Sequence, residues 1–241
     1  EKLEAYRSSL SEEQLDAMVE KTKALEAYQE AGEDPKALEC IPMLKRSDIK
    51  REAAKIINEE LTVDDSLFLY HDVCTNGIGY VDLMFKTDSI APEQIPYLGL
   101  LKSVLGYVDT ENYTYGELFN EINANTGGIN CGVEVFDRAD STEEFQAMFS
   151  VRGKALYTKM DFLFKMIGEI LNSSKLEDTK RLYEIVASVK SRAQVNLTGA
   201  GHSTAVLRAA AYSSPMAAFQ DEMAGIGYYQ PLHLHVKNYP V

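Results

Sequence analysis

The sequence predicts an α+β fold, a mainly antiparallel sheet with helices packed on one face, preceded by a helical connector. Three observations carry this. Short apolar runs separated by turn residues fall between residues 56 and 85 and again between 129 and 152. Stretches with apolar residues three and four apart lie before, between and after those runs. The resulting order is strands, two helices, strands, then several helices. Adjacent strands with clustered helices indicate antiparallel pairing, because parallel pairing needs a crossover after each strand.

The first stretch is helical. Ser11 and Gln14 form a capping box, and behind them Leu15, Met18, Val19, Thr22 and Leu25 share one face, with Glu and Lys on the other. Leu3, Tyr6 and Leu10 predict a turn or two of helix before Ser11, Gly32 ends the long helix, and Asp34-Pro35 opens a short one. Residues 1–48 therefore read as a helical connector with one apolar stripe, too poor in apolar residues to fold alone. Residues 49–241 read as the α+β domain.

In that second part Ile56–Leu61, Leu67–Val73 and Ile78–Phe85 are candidate strands. Asp64-Asp65 and Asn76-Gly77 punctuate them, and Asn76-Gly77 predicts a hairpin between the last two, because both residues tolerate positive φ. Pro92 opens a helix carrying Ile95, Leu98, Leu101, Val104 and Leu105. Thr114 and Glu117 cap another that stops at Thr126-Gly127-Gly128. Ile129–Phe136 and Glu144–Arg152 read as strands, followed by two long amphipathic helices around Met160–Leu171 and Leu182–Val189. A small-residue helix, Thr204–Tyr212, follows a break at Gly199-Ala-Gly201.

Composition narrows the function. The chain has 241 residues, 24 basic against 37 acidic side chains, a net charge of −13 and 45% hydrophobic residues, the balance of a globular protein. The acidic excess argues against nucleic acid as a partner, since that affinity rests on Lys and Arg at phosphates. It leaves basic peptides open. A membrane span needs about 18 apolar residues, and the best candidate, Ile95–Val108, is shorter and contains Lys102. Three separated cysteines, Cys40, Cys74 and Cys131, fit a reducing compartment, either bacterial cytoplasm or an organelle matrix. The chain opens at Glu1 inside a helical pattern, as expected of a processed chain or of a piece of a longer protein.

No chemical constellation stands out. His71, His202, His233 and His235 occur in no helical metal motif. In a strand, His233 and His235 would share a face, as a metal pair requires, but no third ligand lies nearby in sequence. His71 and Cys74 are poorly spaced for a nucleophile pair, and Gly199-Ala-Gly201 lacks the rest of a phosphate-binding fingerprint. Asp64-Asp65 and Glu143-Glu144 sit in charged, turn-like contexts. Tyr113, Tyr115, Tyr228 and Tyr229 could line a peptide groove or an interface.

One ordered set of segments is more specific. Thr75-Asn-Gly-Ile-Gly-Tyr80, Tyr97-Leu-Gly-Leu-Leu-Lys-Ser-Val-Leu105, Thr110, Tyr113, Leu118 and Thr126-Gly-Gly-Ile-Asn130 together resemble the third, non-catalytic domain of presequence-protease-like zinc peptidases, of the pitrilysin/insulinase group. The upstream segment with Ile41-Pro-Met-Leu44 and Ser47-Asp-Ile49 resembles the helical hairpin joining the two halves of such proteins. The likeness covers most of residues 1–172 and fades in Tyr228–Val241.

The resemblance implies four related α+β domains closing around an unfolded peptide, with H-x-x-E-H only in the first. Aligned here, that motif falls on Leu100, Ser103 and Val104. Neither Leu nor Val can coordinate Zn²⁺, and Ser cannot replace a carboxylate base at neutral pH. The expectation is thus no catalytic or metal residue and no cofactor in this segment, with zinc in the parent protein. Asn76, Gly77, Thr126, Gly127 and Gly128 would be kept as structural residues, the glycines for backbone reasons. The implied partners are the remaining domains of the parent peptidase and unfolded peptide substrates. Two other readings stand beside this one: a degenerate peptidase-like module that binds peptides or a partner, and an independent enzyme with a metal at His233 and His235.

Overall fold

The computed structural model describes residues 2–32, 34–53, 55–138, 140–141 and 143–238. Glu1 and residues 239–241 of the C-terminal stretch lie outside the described residues. The chain divides into two compact units between Asp72 and Val73.

The first unit opens with α1 (Lys2–Ser8), α2 (Glu12–Glu30) and the short α3 (Pro35–Leu38). The Ser11 hydroxyl accepts the Gln14 N–H at 3.2 Å, and the Gln14 amide oxygen accepts the Ser11 N–H at 2.9 Å. This reciprocal pair satisfies two of the donors that every helix start leaves free. The unit closes with a hairpin of β1 (Glu59–Val63) and β2 (Ser66–Tyr70). Its turn is Asp64-Asp65, both with positive φ (46° and 63°), the conformation that matches the strand twist in a two-residue loop. None of the described residues of this unit is buried.

The second unit begins with the tight turn at Asn76 and Gly77 (φ 52° and 83°), which leads into β3 (Ile78–Lys86). This corrects the sequence reading in two respects. β2 pairs with β1 and β3 pairs with β5, so Asn76-Gly77 is a turn but not a hairpin tip. The apolar run ending at Val73 also stops being strand at Tyr70. Then come α4 (Ile95–Val104), α5 (Tyr115–Asn125), β4 (Ile129–Asp137) and β5 (Phe145–Leu156). The second sheet has the order β3-β5-β4, antiparallel throughout.

Five helices follow: α6 (Met160–Ser173), α7 (Thr179–Gly199), α8 (Gly201–Ala210), α9 (Pro215–Ala224) and α10 (Ile226–Asn238). Residues 233–235 are therefore helical, and the shared strand face considered for His233 and His235 does not exist. The fold is α+β.

Alternation along β5 sets the layers. Ala147, Phe149, Val151 and Ala155 are buried, whereas Arg152, Lys154 and Leu156 are exposed. The buried row packs on Leu98 and Leu105 of the α4 region, Leu118 and Ile122 of α5, and Leu163, Met166, Ile167 and Ile170 of α6. Gly153 lets α6 approach: a Cβ there would stand 2.6 Å from Leu163. At the far end of β4, Gly127 and Gly128 both face Lys154, the first N–H donating to its carbonyl at 2.7 Å and the second carbonyl accepting its N–H at 3.4 Å. Two residues opposite one make a bulge. Gly128 has φ 108°, and a Cβ on Gly127 would meet the Lys154 side chain at 2.7 Å.

Candidate functional site

The place to test is the turn of α4 carrying Leu100, Ser103 and Val104. Successive residues of a helix advance by about 100°, so positions 100 and 104 share a face while Leu98, Leu101 and Leu105 point away from it. The latter three join the sheet core. Val104 is buried and Leu100 half-buried in a second cluster, with Val108, Ile185 and Val189 of α7, and Tyr228 and Leu232 of α10. The face where the resemblance puts metal ligands is thus packed shut by α7 and α10.

Tyr228 completes the seal. Its ring lies where a side chain on Gly99 would go (2.9 Å to a Cβ), and its hydroxyl donates to the Gly99 carbonyl at 3.2 Å. Burial pushes the phenol up to about 12, with a hydrogen bond from Ser103 acting weakly against it. On α4, burial pushes the Lys102 ammonium below its ordinary value. Two apolar side chains and one hydroxyl facing a packed cluster do not fit a zinc ion, and no catalytic step is built on this turn.

The histidines are dispersed. His235 Nε2 lies 3.0 Å from the Tyr97 hydroxyl, His233 packs against the ring of Tyr229, and His71 Nδ1 lies 2.7 Å from the Ile57 carbonyl. Two apart in α10, His233 and His235 point about 200° apart around the axis, so they cannot chelate as a pair. Among the described residues no three of His, Cys, Asp and Glu come together in a metal-holding group. The cysteines are free; Cys131 is half-buried, and burial pushes its thiol up to about 11, which makes it a poor nucleophile. The tyrosines do not form one groove. Tyr228 is buried, Tyr115 lies under the Arg181 guanidinium at 3.9 Å, and Tyr229 stands against His233.

Glu143 and Glu144 belong to an acidic cleft with Asp137, Arg138, Asp140 and Ser213. The Arg138 guanidinium is spent on Asp140 at 3.0 Å and Glu144 at 3.1 Å.

Two buried carboxylates escaped the sequence reading. Asp221 accepts the N–H groups of Ile226 and Gly227, each at 3.1 Å, and the Arg208 guanidinium at 2.7 Å. It caps α10 and ties α9 to α8. Gly225 is required beside it, since a Cβ there would collide with the carboxylate. Glu169 of α6 holds the loop before α5 through Asn112, whose side-chain amide donates at 2.9 Å and whose backbone N–H donates at 3.2 Å. Hydrogen bonds from Thr110 first and Asn112 second keep its carboxyl below the usual range. The signal available was a lone acid inside the apolar run Met166-Ile-Gly-Glu-Ile170. Both groups are structural.

Residues 1–233 match the family model described as "Peptidase M-16C associated". The chain belongs to that family. Proteins similar to it include "Protein HypA" of Clostridium perfringens, 36% identical over 228 residues that make up 95% of this chain and 23% of that protein. "Presequence protease 1, chloroplastic/mitochondrial" of Arabidopsis thaliana is 28% identical over 96% of this chain and 21% of its own length. "Presequence protease, mitochondrial" of Yarrowia lipolytica is 29% identical over 91% and 22%. The chain thus spans between a fifth and a quarter of the length of each of these three relatives.

Proposed function

We propose that this chain is a non-catalytic segment of a zinc metalloendopeptidase that degrades unfolded peptides, serving as part of the wall that encloses them. The observation that carries the reading is the family match across residues 1–233, with relatives named as presequence proteases that are four to five times longer. The packed apolar turn of α4 supports it, because chemistry then has to come from another part of the parent protein, where the zinc would sit. Its partners are the remaining domains of that protein and unfolded peptides. Residues 1–48 serve as a connector and 49–241 as the α+β domain. The compartment is an organelle matrix or a bacterial cytoplasm; the plant and yeast relatives carry chloroplastic or mitochondrial names. No described helix is long and apolar enough to cross a membrane.

The test is complementation. The 241-residue chain with added zinc should not cleave an unfolded peptide, and neither should the parent protein lacking it. Mixing the two should restore chelator-sensitive cleavage. Cleavage by a homogeneous sample of this chain alone, or full activity of the parent without it, overturns the reading.

A further inference from the structure

Among the described residues, β3 is an edge strand of the sheet β3-β5-β4, with no strand paired on its outer flank. In an antiparallel pair, directly opposed residues alternate between bonded and non-bonded pairs. The β3–β5 register places Ile78 opposite Leu156 and Lys86 opposite Met148, so Gly77 continues it opposite Tyr157 and Thr87 opposite Ala147. At those two ends the bonds are explicit: Tyr157 N–H to the Gly77 carbonyl at 2.9 Å, and Thr87 N–H to the Ala147 carbonyl at 3.3 Å. Odd-numbered residues of β3 therefore bond to β5. The N–H and C=O groups of Tyr80, Asp82, Met84 and Lys86 point to the free side, whereas the Ile78 N–H donates to the Thr75 carbonyl at 3.2 Å within the turn.

Natural sheets defend such edges with bulges, prolines or outward charges. β3 has nine consecutive register pairs, neither bulge nor proline, and its central charge is diverted. Asp82 accepts from Arg152 Nε at 2.6 Å across the sheet, and Arg152 also holds Glu134 at 3.1 Å. The other edge strand, β4, is flanked by α4 and α9. Along β3, Tyr80 is 64% exposed and Phe85, on the side facing the helices, is 46% exposed.

We propose that a strand from the remainder of the longer parent protein pairs permanently with β3, extending the sheet to four strands. This rests on the reading of the chain as a segment of such a protein. The occupant follows from chemistry and length. Only an extended backbone can satisfy a row of alternating donors and acceptors. An uncovered edge of this length with exposed aromatics would aggregate, so the cover is permanent and not a passing substrate. Nearly four-fifths of each relative lies outside the matched span, ample chain to supply it. The strand carries apolar residues at alternate positions, on the side it shares with Val81, Leu83 and Phe85, because Val81 and Leu83 already pack into the core.

The experiment is residue-resolved amide hydrogen exchange on the full-length protein and on the 241-residue chain. The amides of Tyr80, Asp82, Met84 and Lys86 should exchange at least about a hundredfold more slowly in the full-length protein than in the chain. Equal, fast exchange in both overturns the proposal. So does protection that appears only when an unfolded peptide is added, which would make the edge a substrate groove. Protection in the chain alone, whether monomeric or tied to dimerisation, overturns it too. Peptidase activity is not the readout, so an inactive full-length protein with protected amides would refute the functional reading and leave this one standing.

Discussion

Residues 3–72 and 73–238 are written in the same alphabet of amphipathic helices and short strands, yet they differ in what they bury. The first unit has well-formed caps and a regular hairpin but no buried residue among those described, and Leu25, Val19 and Met18 of its apolar stripe stay exposed. The second closes two clusters around β5 and α4, with Leu118, Leu163 and Met166 wholly buried. Periodicity builds an element; only a second layer of the right shape turns its apolar face into stability.

The contrast breaks most sharply under truncation. Leu163→Ala should cost about 2–5 kcal/mol, whereas the exposed Leu25→Ala should stay within about 0.5 kcal/mol. Urea unfolding measures both, and equal costs would mean that the first unit has a core of its own. Next comes Asp221→Ala. It strands the buried N–H groups of Ile226 and Gly227 and should cost about 2 kcal/mol, read as loss of α10 protection ahead of the sheet.

The pH dependence of the second unit sharpens the comparison from both sides. Glu169 has a lowered pKa, so its contribution is present above the ordinary carboxyl range and fades as pH falls through the lower folded value. Thermal unfolding should weaken below about pH 4, and Glu169→Gln should flatten that limb. Tyr228 has the opposite sign. With its phenol at about 12, its contribution holds below the ordinary tyrosine value and is lost as pH rises toward 12. Tyr228→Phe should remove that alkaline loss. The smallest expected effects are at the caps: Ser11→Ala and Thr114→Ala should each cost about 1 kcal/mol, seen as lost helicity for α2 and a lower unfolding midpoint for α5.

Local chemistry was legible. Both capping boxes, the break between α7 and α8, and the positive φ at Asn76 and Gly77 could be read directly, because each depends on residues within a few positions. Pairing was not. The Asn-Gly signal suggested a hairpin, but β3 found its partner about 70 residues away in β5, while the less conspicuous Asp64-Asp65 made the real hairpin. Likewise Leu232-His-Leu-His-Val236 alternates as a strand would, yet it is helical and buries Leu232 against α7 and α4.

The amino-acid sequence alone determined which side chains stand on α4, two of them apolar and one a hydroxyl at the positions where the resemblance would put the zinc motif, because donor chemistry is a property of residue type. It also determined where α2 and α5 begin, through their capping boxes. Only the tertiary structure decided that Tyr228 and Leu232 would close over that turn, that Asp221 would tie three helices together, and that β3 would stand at an edge of its sheet among the described residues. Those outcomes depend on which layers meet, and contacts between residues far apart in the chain leave no periodic trace in the order of its amino acids.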